Sequence, residues 1–284
     1  MTKKILMLLS AGVLVLAIAG QAFAQEQSTE QAQTKDKNVV RTQAEAPEQC
    51  FTSGAYDNFL KVCITNNGNI SWFESPAGFV HLQSREGYAV CSGGTPGISG
   101  VVHGFDANIA ADGWGVSTVS QPNGAGKFPL IITRHSLDGV IQLKQTFTLN
   151  AGAREVDVKM DLKNTSALQV NEVYASRYFD GDINNTSTNV YERTKDSVWG
   201  RNTVYATARG LMLTAALANA NSNAIATAYP LWDPFGSGPQ YARGCGFDNA
   251  ITPATGDFVG IVQSSMGNLK PGQTTSITLL YRRF

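Results

Sequence analysis

Apolar and polar positions alternate most cleanly between Leu130 and Phe179. In "REVDVKMDL", Val156, Val158, Met160 and Leu162 alternate with Asp157, Lys159, Asp161 and Lys163. Successive side chains of a strand point to opposite faces, so this run predicts a strand with one face on a core and one in water. The charges on it are read as a solvated face. Before it, "LIITRHSL" and "VIQLKQTFTL" flank Asp138-Gly139, a pair favoured in two-residue hairpin turns. After it, "KNTSA" turns the chain into "LQVNEVYASRYF". Four strands in succession, a β-meander, are expected.

The same pattern recurs in shorter pieces. "FLKVCIT" and "ISWF" flank Asn66-Asn67-Gly68-Asn69 and read as a hairpin. "GFVHLQS", "GYAVCS", "GWGVSTVS" and "FVGIVQSS" read as strands, and "LKPGQTTSITLLYRRF" places Pro-Gly before a closing strand. Only "GLMLTAALANA", residues 210–220, has helical character, and it lacks clear caps. Many short strands separated by turn signals predict an all-β fold, an antiparallel β-sandwich of the larger supersandwich kind. An outer-membrane barrel is the competitor, but Arg282 and Arg283 stand where a lipid-facing strand needs apolar groups.

The chain begins with Lys3 and Lys4, an apolar run and the small-x-small site Ala22-Phe23-Ala24, the layout of a signal peptide over residues 1–24. Residues 25–49 hold six glutamines and no aromatic residue, too little apolar surface to offset ordering entropy. They are read as a disordered tether, followed by a single domain over residues 50–284. The expected location is secreted or periplasmic, with no transmembrane segment in the mature chain. Without Lys3 and Lys4 the chain carries 20 basic and 22 acidic residues, a net charge of −2. No basic cluster stands out, which argues against nucleic acid as a partner.

Cys50, Cys63, Cys91 and Cys245 all follow the signal segment. An even number in an exported chain favours two disulfides, and three pairings are possible. Cys50–Cys63 with Cys91–Cys245 is the expected one. A zinc site lacks both a C-x-x-C pair and a nearby histidine.

Two segments offer chemistry. In "RYFDGDINN", Asp180, Asp182 and Asn184 stand at alternate positions, the first half of a calcium-loop spacing, with Glu192 as a further ligand. Asn185 takes the place of the loop glycine, so a polar turn is the simpler reading. The same acids could serve as a carboxyl pair for glycoside hydrolysis. The segment 229–249, "YPLWDPFGSGPQYARGCGFDN", sets Trp232, Phe235 and Tyr241 among prolines and glycines. Such rings bury large area at low entropic cost, so these three, with Arg177, are the candidate ligand contacts. His81, His103 and His135 fall in no metalloprotease pattern, and no serine sits in a nucleophile elbow. The expected function is a non-catalytic module of the envelope binding a glycan or a cell-surface protein. The alternative is a carbohydrate-active enzyme using acids near residues 180–192.

Overall fold

The computed structural model describes residues 48–82, 86–93, 100–106, 111–150, 154–180, 183, 189–193, 197–201, 210–215, 225–230, 254–256 and 258–284. All belong to one folded unit, Thr42–Phe284. Among them every strand pairing is antiparallel, and the only helical element is a 3₁₀ turn at Tyr56–Asn58. A four-stranded sheet runs in the order β1 (Glu48–Ser53), β2 (Leu60–Thr65), β3 (Ile70–Glu74), β4 (Val80–Leu82). A six-stranded sheet runs β16 (Ile225–Pro230), β18 (Phe258–Leu269), β12 (Val170–Asp180), β5 (Glu86–Ser92), β6 (Val101–Asp106), β7 (Ala111–Asp112). The nine-stranded sheet starts with β17 (Ala254–Gly256), β13 (Asn189–Arg193), β14 (Ser197–Arg201) and β15 (Gly210–Ala215). It continues with β19 (Thr274–Arg283), β11 (Glu155–Asn164), β10 (Ile141–Asn150), β9 (Leu130–His135) and β8 (Thr118–Ser120).

The alternation in "REVDVKMDL" does what it predicts. Val156, Val158, Met160 and Leu162 are all buried, and β19 sets Tyr281, Leu279 and Ile277 opposite the first three. They share one core cluster with Val173, Ala175 and Phe179 of β12 and with Val62, Ile64 and Phe73 of the small sheet. On the other face Asp161 is held by Lys144 at 3.0 Å and Lys159 at 2.8 Å. The fold is an antiparallel β-sandwich.

The structure departs from the pattern in three places. The four-strand meander is broken after β11, whose second neighbour is β19 while β12 joins the six-stranded sheet. Asn164 makes the crossover. Its Nδ2 donates to the carbonyls of Leu168 (2.7 Å) and Leu269 (2.9 Å), and its Oδ1 accepts from the Ser166 N–H (2.9 Å). The Asp138-Gly139 hairpin has a four-residue tip in place of a two-residue turn, closed by the Ser136 N–H on the Ile141 carbonyl at 2.8 Å. Here Asp138 is occupied as an acceptor for Ser136 Oγ and the Val140 N–H, and Gly139 takes φ +72°. Residues 210–215 form a strand where helical character is expected: Leu211 and Leu213 are buried between β14 and β19. Pairing on both sides overrides local preference.

Cys50 and Cys63 face each other across β1 and β2 and are joined, with Cα atoms 4.0 Å apart. Cys91 is also disulfide-bonded; its expected partner, Cys245, lies outside the described residues.

The sandwich interior is polar at its centre. Arg177 and Glu86 are both 0% exposed. Arg177 Nε donates to Glu86 Oε1 and Nη2 to Oε2, each at 2.8 Å, while Nη1 reaches Gln145 Oε1 at 2.5 Å and Nη2 also reaches the Gly68 carbonyl at 2.9 Å. Glu86 accepts further bonds from the Tyr281 hydroxyl and the Ile70 N–H. Burial pushes the Glu86 carboxyl above its ordinary 4.5, against the opposing pull of Arg177. Beside this cluster, Arg134 Nη1 donates to Asp106 Oδ2 (2.5 Å) and the Tyr88 hydroxyl (2.9 Å), and Asn69 Nδ2 donates to Asp106 Oδ1 (2.5 Å).

Two stability measurements check these assignments. Glu86→Ala leaves a guanidinium buried without its counter-charge and should lower unfolding free energy by about 3–5 kcal/mol in urea titration. Asn164→Ala removes a buried hydrogen bond to the Leu269 carbonyl and a part-buried one to the Leu168 carbonyl and should cost about 1–3 kcal/mol. A Glu86→Ala protein as stable as wild type would contradict the first account, and an unshifted midpoint for Asn164→Ala the second.

Candidate functional site at the end of the six-stranded sheet

The stretch "RYFDGDINN" begins inside β12, and strand alternation divides its first residues between two environments. Arg177 and Phe179 point into the shared core. Tyr174, Ser176, Tyr178 and Asp180 therefore occupy the outer face of the six-stranded sheet. On one side their register partners are Cys91, Ala89 and Gly87, for Tyr174, Ser176 and Tyr178 in turn. On the other side they are Ser265, Gln263, Ile261 and Val259. Gly87 and Ala89 carry nothing larger than a methyl group, and Tyr178 and Ser176 beside them are buried.

This face is rich in hydrogen-bonding groups for a buried surface. Ser176, Tyr178, Asp180 and Gln263 are all buried. The Ser176 hydroxyl has no hydrogen-bond partner among the described residues. Leaving such a group unsatisfied costs about 1–3 kcal/mol, which a structural face avoids by using aliphatic side chains.

The register also connects the two segments singled out in the sequence. Asp180 pairs with Val259 from one side of β18, and Tyr229 pairs with the same Val259 from the other. The backbones of Asp180 and Tyr229 thus lie two strand spacings apart, about 10 Å. β12 ends at Asp180 and β16 at Pro230, immediately before Leu231-Trp232. The acidic segment and the aromatic segment leave the same end of one sheet.

The candidate residues fall as follows. Asp180 closes β12 on the outer face. Arg177 is fully buried, with its guanidinium on Glu86, Gln145 and Gly68. Glu192 lies in β13 opposite Trp199, and β13 packs against β16 and β18. Asp182, Asn184, Trp232, Phe235 and Tyr241 lie outside the described residues. Among the described residues, Glu48, Cys50 and Cys63 are the one acid–thiol group close enough to share a metal, and its two sulfurs are bonded to each other. His81 Nε2 is 2.7 Å from the Ser75 carbonyl oxygen, and His135 Nε2 is 3.0 Å from Gln142 Nε2. His103 stands between Ser92 and Asp138. Tyr174, Ser176, Tyr178 and Gln263 were not singled out in the sequence; counting by twos from Asp180 back along "VYASRYFD" finds the three on β12. Gln263 has no such signal, because its place depends on the pairing of β12 with β18.

No family model matches the chain, and no curated protein matches it. Among solved structures it is similar to a bacterial glucoamylase complexed with acarbose, at 8% identity and a TM-score of 0.54, over 87% of this chain and 34% of that one. The chain thus spans about a third of the glucoamylase. It is also similar to a putative aldose 1-epimerase from Escherichia coli K12, at 12% identity and a TM-score of 0.48, over 84% of this chain and 99% of that one. A galactose mutarotase related enzyme from Lactobacillus acidophilus matches at 11% identity and a TM-score of 0.40, over 83% of this chain and 97% of that one. At such identities the likeness is one of fold, and the fold is the antiparallel β-sandwich.

Proposed function

We propose that the protein is an exported module that binds a glycan at a non-catalytic site. Its sugar site lies at the end of the six-stranded sheet where β12 closes on Asp180 and β16 on Tyr229-Pro230. The observation that carries this reading is the shared register through Val259, which brings the starts of the acidic and aromatic segments about 10 Å apart. A pyranose offers apolar C–H faces and a rim of hydroxyls, so its site needs rings and short polar side chains together. Trp232, Phe235 and Tyr241 supply the rings and Asp180 supplies a carboxylate. The signal-like N-terminus and the Cys50–Cys63 disulfide support an oxidising compartment outside the cytoplasm. The fold likeness to a glucoamylase supports a sugar as the ligand class.

A panel of immobilised polysaccharides tests the reading. The processed protein should be retained by at least one of them. Trp232→Ala and Asp180→Asn should each weaken that binding about 10-fold or more, a loss of about 1.4 kcal/mol, with unchanged circular dichroism. Retention by no polysaccharide, or wild-type binding by both variants, would remove the proposal.

A further inference from the structure

Ser92 ends β5, opposite Val101 of β6. Val90 pairs with Gly104 but Cys91 pairs with Val102, so β6 carries one extra residue, His103. A bulge of this kind re-aims the side chain it carries. His103 Nε2 lies 2.8 Å from Ser92 Oγ, and its Nδ1 lies 2.7 Å from Asp138 Oδ2. Asp138 comes from the other sheet, at the tip of the β9–β10 hairpin. Its Oδ1 accepts from Ser136 Oγ at 2.5 Å and from the Val140 N–H at 2.9 Å. The tip itself is fastened by the Leu137 N–H on the Gly113 carbonyl (2.7 Å) and the Gly115 N–H on the His135 carbonyl (2.8 Å).

Each group is placed for a distinct role. Burial tends to raise the Asp138 carboxyl, but the bonds from Ser136, His103 and Val140 outweigh it and hold the group below its ordinary 3.8. An ionised carboxylate at Nδ1 selects the tautomer with its hydrogen there and leaves the Nε2 lone pair for the Ser92 hydroxyl. Ser92 Oγ has no other partner among the described residues. A serine, a histidine and an aspartate joined in this order are recognised by geometry and role, whatever their spacing in sequence.

We infer that Ser92, His103 and Asp138 are nucleophile, general base and orienting carboxylate of an esterase site that takes small O-acyl esters. Ser92 Oγ bonds to the ester carbonyl carbon as its proton passes to His103 Nε2. The carbon–oxygen bond to the alcohol then breaks, and the leaving oxygen takes the proton from Nε2. Water, deprotonated by Nε2, attacks the acyl-serine, releases the carboxylic acid and restores the Ser92 hydroxyl. Ser92 is 7% exposed, so the smallest acyl group, acetyl, is the one to try first. The Gly93 N–H already donates to the carbonyls of Asn171 (3.1 Å) and Glu172 (3.2 Å) and does not serve as an oxyanion donor. The expected acceleration is therefore that of acid–base catalysis, about 10²–10⁴-fold.

The test uses the whole processed chain with a fluorophosphonate probe and with p-nitrophenyl acetate. The expected results are a phosphonyl adduct mapped to Ser92 and hydrolysis above buffer. Ser92→Ala should abolish both, and Asp138→Asn should slow hydrolysis about 10-fold or more. A structural role alone would shift the melting temperature of these variants without any adduct on the wild-type protein. Folded wild-type protein that gives no Ser92 adduct at millimolar probe overturns the inference, whatever the variants do. So does hydrolysis that persists in Ser92→Ala. Neither outcome bears on glycan binding.

Discussion

A guanidinium with no exposed surface must place its charge on protein groups, and Arg177 places it on all three sheets. Its own strand, β12, and the strand of Glu86, β5, belong to the six-stranded sheet. Gln145 and Tyr281 reach it from the nine-stranded sheet, and the Gly68 carbonyl from the β2–β3 hairpin of the small one. Removing two charges from water costs several kcal/mol per ion even after relaxation, so the pair survives only with its donors and acceptors filled. That requirement binds the sheets to one relative placement. Apolar layers alone tolerate many side-chain arrangements at similar energy; this cluster tolerates one.

The small sheet shows how far the constraint reaches. Its hairpin tip turns backbone acceptors inward, with the Asn67 carbonyl taking the Tyr88 hydroxyl at 2.6 Å and the Gly68 carbonyl taking Arg177. Gly68 sits at φ +93°, and a Cβ there would lie 2.2 Å from Gln145 Nε2. No other residue allows both the turn and the approach. The neighbouring cluster of Arg134, Asp106, Tyr88 and Asn69 repeats the logic, and Arg134 Nε also donates to the Gly115 carbonyl at 3.0 Å. The charges at the centre of the sandwich are thus met by neighbouring protein groups. Recognition is left to the strand ends.

Period-two alternation was readable wherever one face is buried and the other wet, which is why β10 and β11 stand where "VIQLKQTFTL" and "REVDVKMDL" place them. It was silent on which strand pairs with which. Asn164 looks like an ordinary turn residue, and only its two carbonyl partners reveal a crossover between sheets. Alternation also hid the role of Arg177: in "RYFDGDINN" it stands beside polar residues, yet its period puts it with Phe179 in the core. The helical character of residues 210–215 was local, and neighbours distant in sequence, β14 and β19, decided otherwise. Ser92, His103 and Asp138 gave no motif because 11 and then 35 residues separate them. Their meeting requires a bulge and a packed hairpin tip that no local pattern encodes.

The two proposed sites lie at opposite ends of the same strands. β5 runs from Glu86, beside Phe179 near Asp180, to Ser92, and Gly93 bonds to the Asn171 carbonyl at the start of β12. The six residue steps of β5 from Glu86 to Ser92 span roughly 20 Å at the usual rise. Groups that far apart without shared partners respond to substitution independently. A sugar held at Asp180 would not present its nearest hydroxyls to Ser92, so an acyl ester on a bound glycan could be reached only along an extended chain or by a second molecule. The Arg177–Glu86 pair lies toward the Asp180 end, and the length of β5 sets the separation of the two sites without coupling their chemistry.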